Sequence, residues 1–348
     1  MDIYLTTIEK AKDVVEFAFG LNVYLSNVAF SINGYNVYWY GIIITVGMIL
    51  ALIFGFRNAK KFGINPDKLI DCIIFGTIGA FISARAYYVI FSPSDIRETY
   101  KTFWDVVNLR DGGLAIYGGI IGAIVFGTIT AKIRKLKIAP LLDLAGMGFL
   151  IGQAVGRWGN FFNREAYGTP TTLPWGMTST TISNEMGLGV YVHPTFLYES
   201  LWCLLVFILL RIYMKRRKFD GELFLMYIGL YGFERFFVEG LRTDSLLLGN
   251  IRISQLVAGL CVVFAIVAII IIRSKIKRLD EYKLYKDTDE AIEDLRLYNE
   301  KNNKKRKDKT ENVNLNEITD DKEEPSNINS KLGDLIENIN INDDEKNT

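Results

Sequence analysis

Apolar residues dominate the chain from about residue 39 to residue 272 and become scarce after it. A helix that crosses ~30 Å of hydrocarbon needs roughly 20 predominantly apolar residues. Several stretches reach this length, and the clearest is Ile253 to Ile272, whose only polar residues, Ser254 and Gln255, lie at its start. The pattern therefore predicts an all-α, polytopic membrane protein.

The pattern predicts seven spans and their orientation. The spans are about Trp39–Phe56, Leu69–Ile90, Leu114–Ala131, Pro140–Arg157, Thr195–Tyr213, Leu223–Val238 and Ile253–Ile272. The links after the first, third, fifth and seventh spans are rich in Lys and Arg, and the intervening links are poorer. The positive-inside rule makes the basic links cytoplasmic. An odd number of spans then predicts an N-terminus outside and a C-terminus in the cytoplasm.

Composition divides the chain into three parts. Residues 1–38 are expected to form an extracytoplasmic N-terminal segment, interfacial or partly ordered, without the basic region and apolar core of a cleaved signal peptide. Residues 39–278 form the seven-helix transmembrane domain. Residues 279–348 are rich in Lys, Asn, Asp and Glu, so they bury too little apolar surface to fold alone. We expect them to be a largely disordered cytoplasmic tail.

Cysteine and histidine usage argues against metal or disulfide frameworks. Cys72, Cys203 and Cys261 all lie inside apolar stretches, where small packing residues are expected. His193 is the single histidine, which disfavours a histidine-based metal site. The net charge of +1 averages over lipid-facing and water-facing parts. We predict neither a disulfide nor a metal framework, and no nucleic-acid partner.

Polar residues concentrate where the fourth predicted span ends. Arg157, Asn160, Asn163, Arg164 and Glu165 lie within nine residues at the membrane surface. Charged residues in or beside spans are costly and need a reason to be there. Composition alone leaves two interpretations open, an interfacial anchor with an internal salt bridge and a polar binding site.

The sixth predicted span carries a charged stripe that favours the binding site. At ~100° per residue, Tyr231, Arg235 and Arg242 lie at about 0°, 40° and 20°, and Glu239 follows at about 80°. Such a stripe cannot face lipid. The planar fork of arginine suits phosphate oxygens. We infer a site for an anionic group, most simply a lipid phosphate, at the outer membrane surface.

A glycine-rich run opens the third span. Gly112 and Gly113 precede it, and Gly118 and Gly119 lie within its first turns, next to Tyr117. Paired glycines permit either close helix contact or close approach of a headgroup. Tyr117 is in a position either to reach a reacting group or to act as an interfacial tyrosine.

The fifth span also opens with polar residues. His193, just before it, is interpreted as a capping, interfacial or substrate-binding residue. Glu199 lies about two turns inside the span and needs a partner, because an unpaired charge there is costly. Arg157 and Arg85 are the candidates.

The run Gly156-Arg157-Trp158-Gly159-Asn160-Phe161-Phe162-Asn163-Arg164-Glu165 resembles the signature of bacterial prolipoprotein diacylglyceryl transferases. Companion residues occur in the order that this family shows. They are Trp39-Tyr40-Gly41, Arg85, Asp111-Gly112-Gly113, Gly118-Gly119, His193-Pro194, Tyr198-Glu199, Tyr231, Arg235, Glu239 and Arg242. The resemblance covers roughly residues 30 to 275.

The resemblance implies a reaction in the bacterial cytoplasmic membrane. Diacylglyceryl moves from phosphatidylglycerol to the lipobox cysteine thiol of a prolipoprotein signal peptide, forming a thioether and releasing glycerol phosphate. No cofactor is implied. The implied catalytic residues are Arg157, Arg235, Glu165, Tyr231 and Tyr117. The implied substrate-binding residues are Arg157, Asn160, Asn163, Tyr40, Arg242, Glu239, Gly112, Gly113, Gly118, Gly119 and His193.

Two positions depart from the family pattern. Some members carry histidine where this chain has Tyr117, and a phenol with a pKa of ~10 is a poor base at pH 7. Tyr117 is then a hydrogen-bond donor, and the thiol proton goes to Glu165, to the arginine field or to water. Some relatives have glycine at the position of Arg164.

Two other classes of protein would explain the same residues. A carrier or flippase for anionic lipids would use the arginine-lined site without chemistry. A structural membrane subunit would contain the charges as an internal ion network.

Overall fold

The computed structural model describes residues 13–32, 34–93, 100, 102–108, 113–243, 247–248, 251–279 and 282–320. The described chain is mostly helical. Its helices are α1 (Trp39–Asn58), α2 (Pro66–Phe91), α3 (Phe103–Val107), α4 (Ile116–Ile133), α5 (Ile138–Asn163), α6 (Thr180–Met186), α7 (Thr195–Tyr213), α8 (Glu222–Leu241), α9 (Ile253–Leu279) and α10 (Asp289–Asp320). Short 3₁₀ turns lie at Ala59–Phe62, Met214–Arg216 and Tyr285–Asp287.

Among the described residues, six helices are long and apolar enough to cross a membrane, namely α1, α2, α4, α5, α7 and α9. They correspond to six of the seven predicted spans, which confirms the polytopic membrane class. The predicted span Leu223–Val238 lies within α8. This helix is less apolar because Glu234, Arg235 and Glu239 lie in its second half. Its crossing of the membrane stays a prediction.

Short strands lie outside the helices, so the expectation of an all-α fold is wrong in this respect. The strands are β1 (Asp13–Phe17), β2 (Asn22–Leu25), β3 (Val28–Ile32), β4 (Tyr35–Tyr38), β5 (Met177–Thr178), β6 (Leu247–Leu248) and β7 (Ile251–Arg252). They form a β2-β1-β5 sheet and the antiparallel pairs β3-β4 and β6-β7. Valine and aromatic residues in the segment before α1 favour strands, because they fit a pleated, half-buried surface.

A small core outside the spans fixes the ends of two helices that carry site residues. Val15 and Phe17 of β1 are buried against Phe161, near the end of α5, and Phe196, at the start of α7. The rings of Phe161 and Phe196 stack with their centroids 4.6 Å apart. The N-terminal segment therefore braces α5 against α7.

Links predicted to share one side of the membrane lie together in the structure. Arg134, after α4, pairs with Asp71 near the start of α2, with 2.6 Å between Nε and Oδ2. Arg217, after α7, donates to the carbonyl of Lys61, after α1, at 3.4 Å. The basic links after the first, third and fifth predicted spans are thus at the same end of the bundle.

The tail contains a long helix. The chain divides into two compact units, Met1–Ile292 and Glu293–Thr348. Residues from Asp289 to Asp320 are helical, although their composition predicts a largely disordered segment. Within this helix Arg296 pairs with Glu293 one turn away at 2.8 Å, a spacing that stabilises helices.

Candidate active site

The centre of the polar site is Glu199, whose side chain is only 1% exposed. Its Oε2 atom lies 2.5 Å from Arg157 Nη2 and 3.2 Å from Arg235 Nη1. Its Oε1 atom lies 3.9 Å from Arg242 Nη1. One carboxylate on α7 therefore joins arginines contributed by α5, by α8 and by the residue that follows α8.

Further contacts extend the cluster along α8. Arg235 pairs with Glu239 one turn further on, with 2.6 Å between Nη2 and Oε2. Arg157 Nη2 also lies 3.5 Å from the Tyr231 hydroxyl, to which it donates. The predicted stripe therefore faces the interior of the bundle, because charged side chains are costly in lipid. It consists of Tyr231, Arg235, Glu239 and Arg242.

Among the described residues, three guanidinium groups and two carboxylates form the ion pairs of this cluster. The guanidinium groups of Arg157, Arg235 and Arg242 share the two carboxylates of Glu199 and Glu239. The Arg157 and Arg235 side chains each remain 20% exposed, so a ligand has access to them. Burying a charge is costly unless it is paired. Guanidinium groups that are ion-paired and still partly exposed are suited to an incoming anion.

Glu234 is a third carboxyl beside the cluster. It is 6% exposed, and neither carboxyl oxygen has a hydrogen-bond partner among the described residues.

The turn after α5 arranges amides rather than arginines around Glu165. Asn160 Nδ2 donates to Glu165 Oε1 at 2.9 Å, and Asn163 Nδ2 donates to the same atom at 3.3 Å. Arg164 adopts the left-handed conformation with φ of 54° and donates to the side chain of Asn27. Glu165 is therefore held by two amides of its own turn, and Arg164 contacts the segment before α1.

A cavity of ≈ 900 Å³ opens beside this turn. Its lining includes Tyr40, Asn163, Glu165 and Asn27. The ring of Tyr40 packs against Gly159, where an added Cβ would lie 2.8 Å from the ring. Because residue 159 is a glycine, Tyr40 of α1 can lie close to α5.

A second cavity, of ≈ 740 Å³, is lined almost entirely by apolar residues of α1, α2 and α5. Its few polar groups include Gln153 and Tyr227, which are joined by a hydrogen bond of 3.1 Å. A cavity with this lining suits hydrocarbon chains.

The backbone around Gly168 contacts both His193, before α7, and Arg242, after α8. Its N–H donates to the carbonyl of His193 at 2.9 Å, and it forms an isolated bridge with Arg242. A Cβ on Gly168 would lie 2.7 Å from the Cβ of His193, which excludes a larger residue. His193 Nδ1 lies 3.2 Å from the Tyr198 hydroxyl, and partial burial lowers the pKa of His193 below its usual 6.5.

Tyr117 lies apart from the ion-pair cluster. Its side chain is 60% exposed at the start of α4, and none of the ion pairs around Glu199 includes it. Gly118 is buried against α2, where an added Cβ would clash with the carbonyl oxygen of Ser83 and the Cβ of Tyr87 and would lie 3.0 Å from the Cα of Ala84. At Gly119 the corresponding nearest atom is 3.6 Å away. Helix packing thus explains Gly118, and a substrate role for Tyr117, Gly118 or Gly119 stays a prediction.

Arg85 organises the loop before α4 and does not pair with Glu199. It donates to the carbonyl oxygens of Val106 at 2.6 Å, Asn108 at 2.8 Å and Gly113 at 3.0 Å. Gly113 has a φ of 87°, which favours glycine. Gly112 lies outside the described residues.

Two buried carboxyl groups, Glu199 and Glu234, are the residues absent from the predicted site. The available signal was a carboxylate within an otherwise apolar span, which indicates an intramembrane partner. Sequence analysis identified Arg157 as one candidate partner of Glu199, and the structure confirms that pair. The junction with Arg235 and Arg242 depends on how α7 packs against α8.

Apolar helices that surround a buried arginine–carboxylate cluster define a multi-pass membrane protein with a polar site inside its bundle. The family profile described as prolipoprotein diacylglyceryl transferase matches residues 27–271. The chain belongs to the prolipoprotein diacylglyceryl transferase family. This confirms the resemblance and the transferase activity predicted from it, in preference to a carrier or a structural subunit.

Bacterial relatives support this membership over their full length. A Finegoldia magna protein named phosphatidylglycerol–prolipoprotein diacylglyceryl transferase is 44% identical over 258 residues, which are 74% of this chain and 100% of the relative. A protein named phosphatidylglycerol–prolipoprotein diacylglyceryl transferase 1 from Clostridium perfringens is 45% identical over 73% of this chain and 97% of the relative. A phosphatidylglycerol–prolipoprotein diacylglyceryl transferase from Clostridioides difficile is 41% identical over 73% of this chain and 98% of the relative.

Proposed function

We propose that this enzyme transfers the diacylglyceryl group of phosphatidylglycerol to the lipobox cysteine of a prolipoprotein signal peptide. The sulfur–carbon bond forms as the bond between the glyceryl carbon and the phosphate oxygen breaks. The products are a thioether and glycerol phosphate. Relatives that match over their full length have names that include the same lipid and protein substrates. The reaction is the first step of lipoprotein maturation in the bacterial cytoplasmic membrane.

The observation that carries this proposal is the three-arginine cluster around Glu199 and Glu239. Arg157 and Arg235 bind the phosphate of phosphatidylglycerol through their exposed faces, with Arg242 behind them. Charge grows on the phosphate oxygen as the carbon–oxygen bond breaks. Donors already held in place stabilise that charge without reorganisation, which lowers the barrier. Tyr231 orients Arg157 through its hydroxyl.

Glu165 is the proposed acceptor of the thiol proton. Asn160 and Asn163 hold its Oε1 atom, and the carboxylate lines the ≈ 900 Å³ cavity with Tyr40. A free thiol has a pKa of ~8.5 and reacts as the thiolate. Glu165 is thus both oriented by two amides and accessible from the cavity.

The proposed topology has seven spans, with the site at the outer surface and the N-terminus outside. α8 is included because Glu234 and Glu239 are buried within the protein, so its charges do not contact lipid. Residues 39–278 are then the membrane-embedded catalytic domain, residues 1–38 an outer segment, and residues 279–348 a cytoplasmic tail. The ≈ 740 Å³ apolar cavity is suited to acyl chains of the lipid.

The test combines the full-length protein in vesicles with phosphatidylglycerol and a lipobox peptide. Mass spectrometry of the peptide is expected to show the added diacylglyceryl mass, with glycerol phosphate released. Lipid movement across the bilayer without an adduct would favour a flippase instead. If the protein shows neither adduct formation nor lipid movement, a structural role is favoured.

Matched arginine variants then test the site. Arg157→Ala and Arg235→Ala are expected to abolish adduct formation and phosphatidylglycerol binding. Arg134→Ala is the control, because Arg134 is also ion-paired but lies at the opposite end of the bundle. Unchanged binding in both site variants would contradict the proposed phosphate contact.

A further inference from the structure

The β3-β4 hairpin has one apolar face and one polar face. Phe30 pairs with Val37 and Ile32 pairs with Tyr35, so these four side chains lie on the same face. Phe30 is 50% exposed, Ile32 57% and Tyr35 80%. Exposed apolar side chains grouped on one face in this way mark an interaction surface.

The opposite face of the hairpin is polar. The intervening pair is Ser31 and Asn36, and the Ser31 hydroxyl donates to Asn36 Oδ1 at 2.6 Å. Both residues are exposed. The hairpin therefore has its apolar and polar side chains on opposite faces. This arrangement is typical of an element at the boundary between lipid and water.

The hairpin joins the membrane-crossing part of the chain directly. β4 ends at Tyr38 and α1 begins at Trp39, with no connecting residue. α1 is one of the helices that is long and apolar enough to cross a membrane. Tryptophan and tyrosine are enriched where such helices leave the hydrocarbon. Tyr38, Trp39 and Tyr40 follow one another at this position.

The backbone limits how deeply the hairpin enters lipid. Among the described residues, this sheet contains only β3 and β4, so both outer edges lack a strand partner. An open edge is not tolerated in hydrocarbon, because its N–H and C=O groups find no partners there. The headgroup region provides those partners, while apolar side chains reach the acyl boundary.

We propose that the β3-β4 hairpin lies in the headgroup region of the bilayer, with Phe30, Ile32 and Tyr35 facing the acyl chains and Ser31 and Asn36 facing water. The occupant of the apolar face is thus the lipid surface itself. Val37, on the same face, also lines the ≈ 900 Å³ cavity with Tyr40 and Glu165. The cavity therefore opens beside the apolar face of the hairpin. The inference rests on the membrane-crossing helices and is independent of the proposed substrates.

The test compares neighbouring residues on opposite faces. Ile32→Cys and Ser31→Cys variants of the full chain are labelled with a polarity-sensitive fluorophore and reconstituted into phosphatidylglycerol–phosphatidylcholine vesicles. Wild-type protein labelled in parallel measures the background, because Cys72 and Cys203 are buried and Cys261 is half-buried. Tyr35→Cys and Asn36→Cys repeat the comparison on the other strand. All four positions are exposed, so the label displaces no packed side chain.

The expected result is a blue-shifted emission at residues 32 and 35 with strong quenching by a lipid that carries a shallow quencher. Labels at residues 31 and 36 are expected to be quenched by iodide, present on both sides of the vesicle. Equal iodide quenching at residues 31 and 32 would overturn the proposal, because the apolar face would then be in water. Protection of residue 32 from both quenchers would also overturn it, because protein would then cover the face.

Discussion

Glu199 and Arg157 form an ion pair between two apolar helices, with 2.5 Å between Glu199 Oε2 and Arg157 Nη2. Removing one partner from a buried pair leaves an uncompensated charge, which costs about 3–5 kcal/mol. The same carboxylate contacts Arg235 and Arg242. The carboxylate of Glu199 therefore stabilises three positively charged arginines at the position proposed for the phosphate.

Glu199→Gln is expected to reduce both turnover and stability. The amide keeps the size of the side chain but removes the charge that orients three arginines. We expect a loss of turnover of roughly 100-fold, comparable to removing a transition-state donor, and a lower unfolding temperature. Peptide adduct formation and thermal unfolding of the same preparation measure both.

Glu234→Gln is the matched control for this prediction. It makes the same chemical change in another buried carboxyl, one without a hydrogen-bond partner among the described residues. We expect it to retain most of the turnover. An equal loss in the two variants would show that pairing with arginine is not what makes Glu199 important.

Tyr117→Phe is expected to retain substantial turnover with an unchanged pH profile. The hydroxyl is on an exposed side chain outside the ion-pair cluster, and a phenol is a poor base at neutral pH. Initial rates at a series of pH values provide the measurement. A loss of several orders of magnitude, with lipid binding intact, would show that Tyr117 participates in proton transfer.

Gly118 and Gly119 are expected to respond differently to the same substitution. Gly118→Ala places a Cβ against the carbonyl oxygen of Ser83 and the Cβ of Tyr87, closer than such atoms can pack, so we expect α2 and α4 to separate slightly. Overpacking of this kind costs about 1–3 kcal/mol. Gly119→Ala has room, with its nearest atom 3.6 Å away, and should leave unfolding unchanged.

Substrate kinetics distinguish packing from headgroup binding at these glycines. If Gly119→Ala raises the KM for phosphatidylglycerol while the unfolding temperature stays constant, the close approach of a headgroup is supported. Equal destabilisation by both variants would contradict the packing difference between them.

The titration of His193 provides a test of the loop before α7. Partial burial disfavours the imidazolium ion, so the pKa of His193 is lowered in the folded protein. Protonation then favours the unfolded chain, and the contribution of this group to stability is lost as pH falls below the unfolded value of ~6.5. Because the chain has one histidine, selective isotope labelling gives one resonance. A midpoint at or above 6.5 would contradict the burial of this ring.

Much of the helical architecture was predictable because lipid imposes a simple length rule. Runs such as Ile253 to Ile272 are too long and too apolar for another use, and six predicted spans are helices of the required length. The strands before α1 were missed. Their apolar residues are interrupted by Glu16, Asn22 and Asn27, and the pairing that organises them joins residues several positions apart, such as Val15 and Val23.

By itself, the sequence determined that Arg235 and Tyr231 share one face of a helix, because helical periodicity is local. It also determined the family, because the motif from Gly156 to Glu165 is contiguous. Only the tertiary structure decided that Glu199 joins the arginines, that Arg164 turns to Asn27, and that Gly118 packs on α2. Those choices depend on which helices are neighbours and on their rotation. Buried charges select partners by distance across helices, which the order of residues along one helix does not specify.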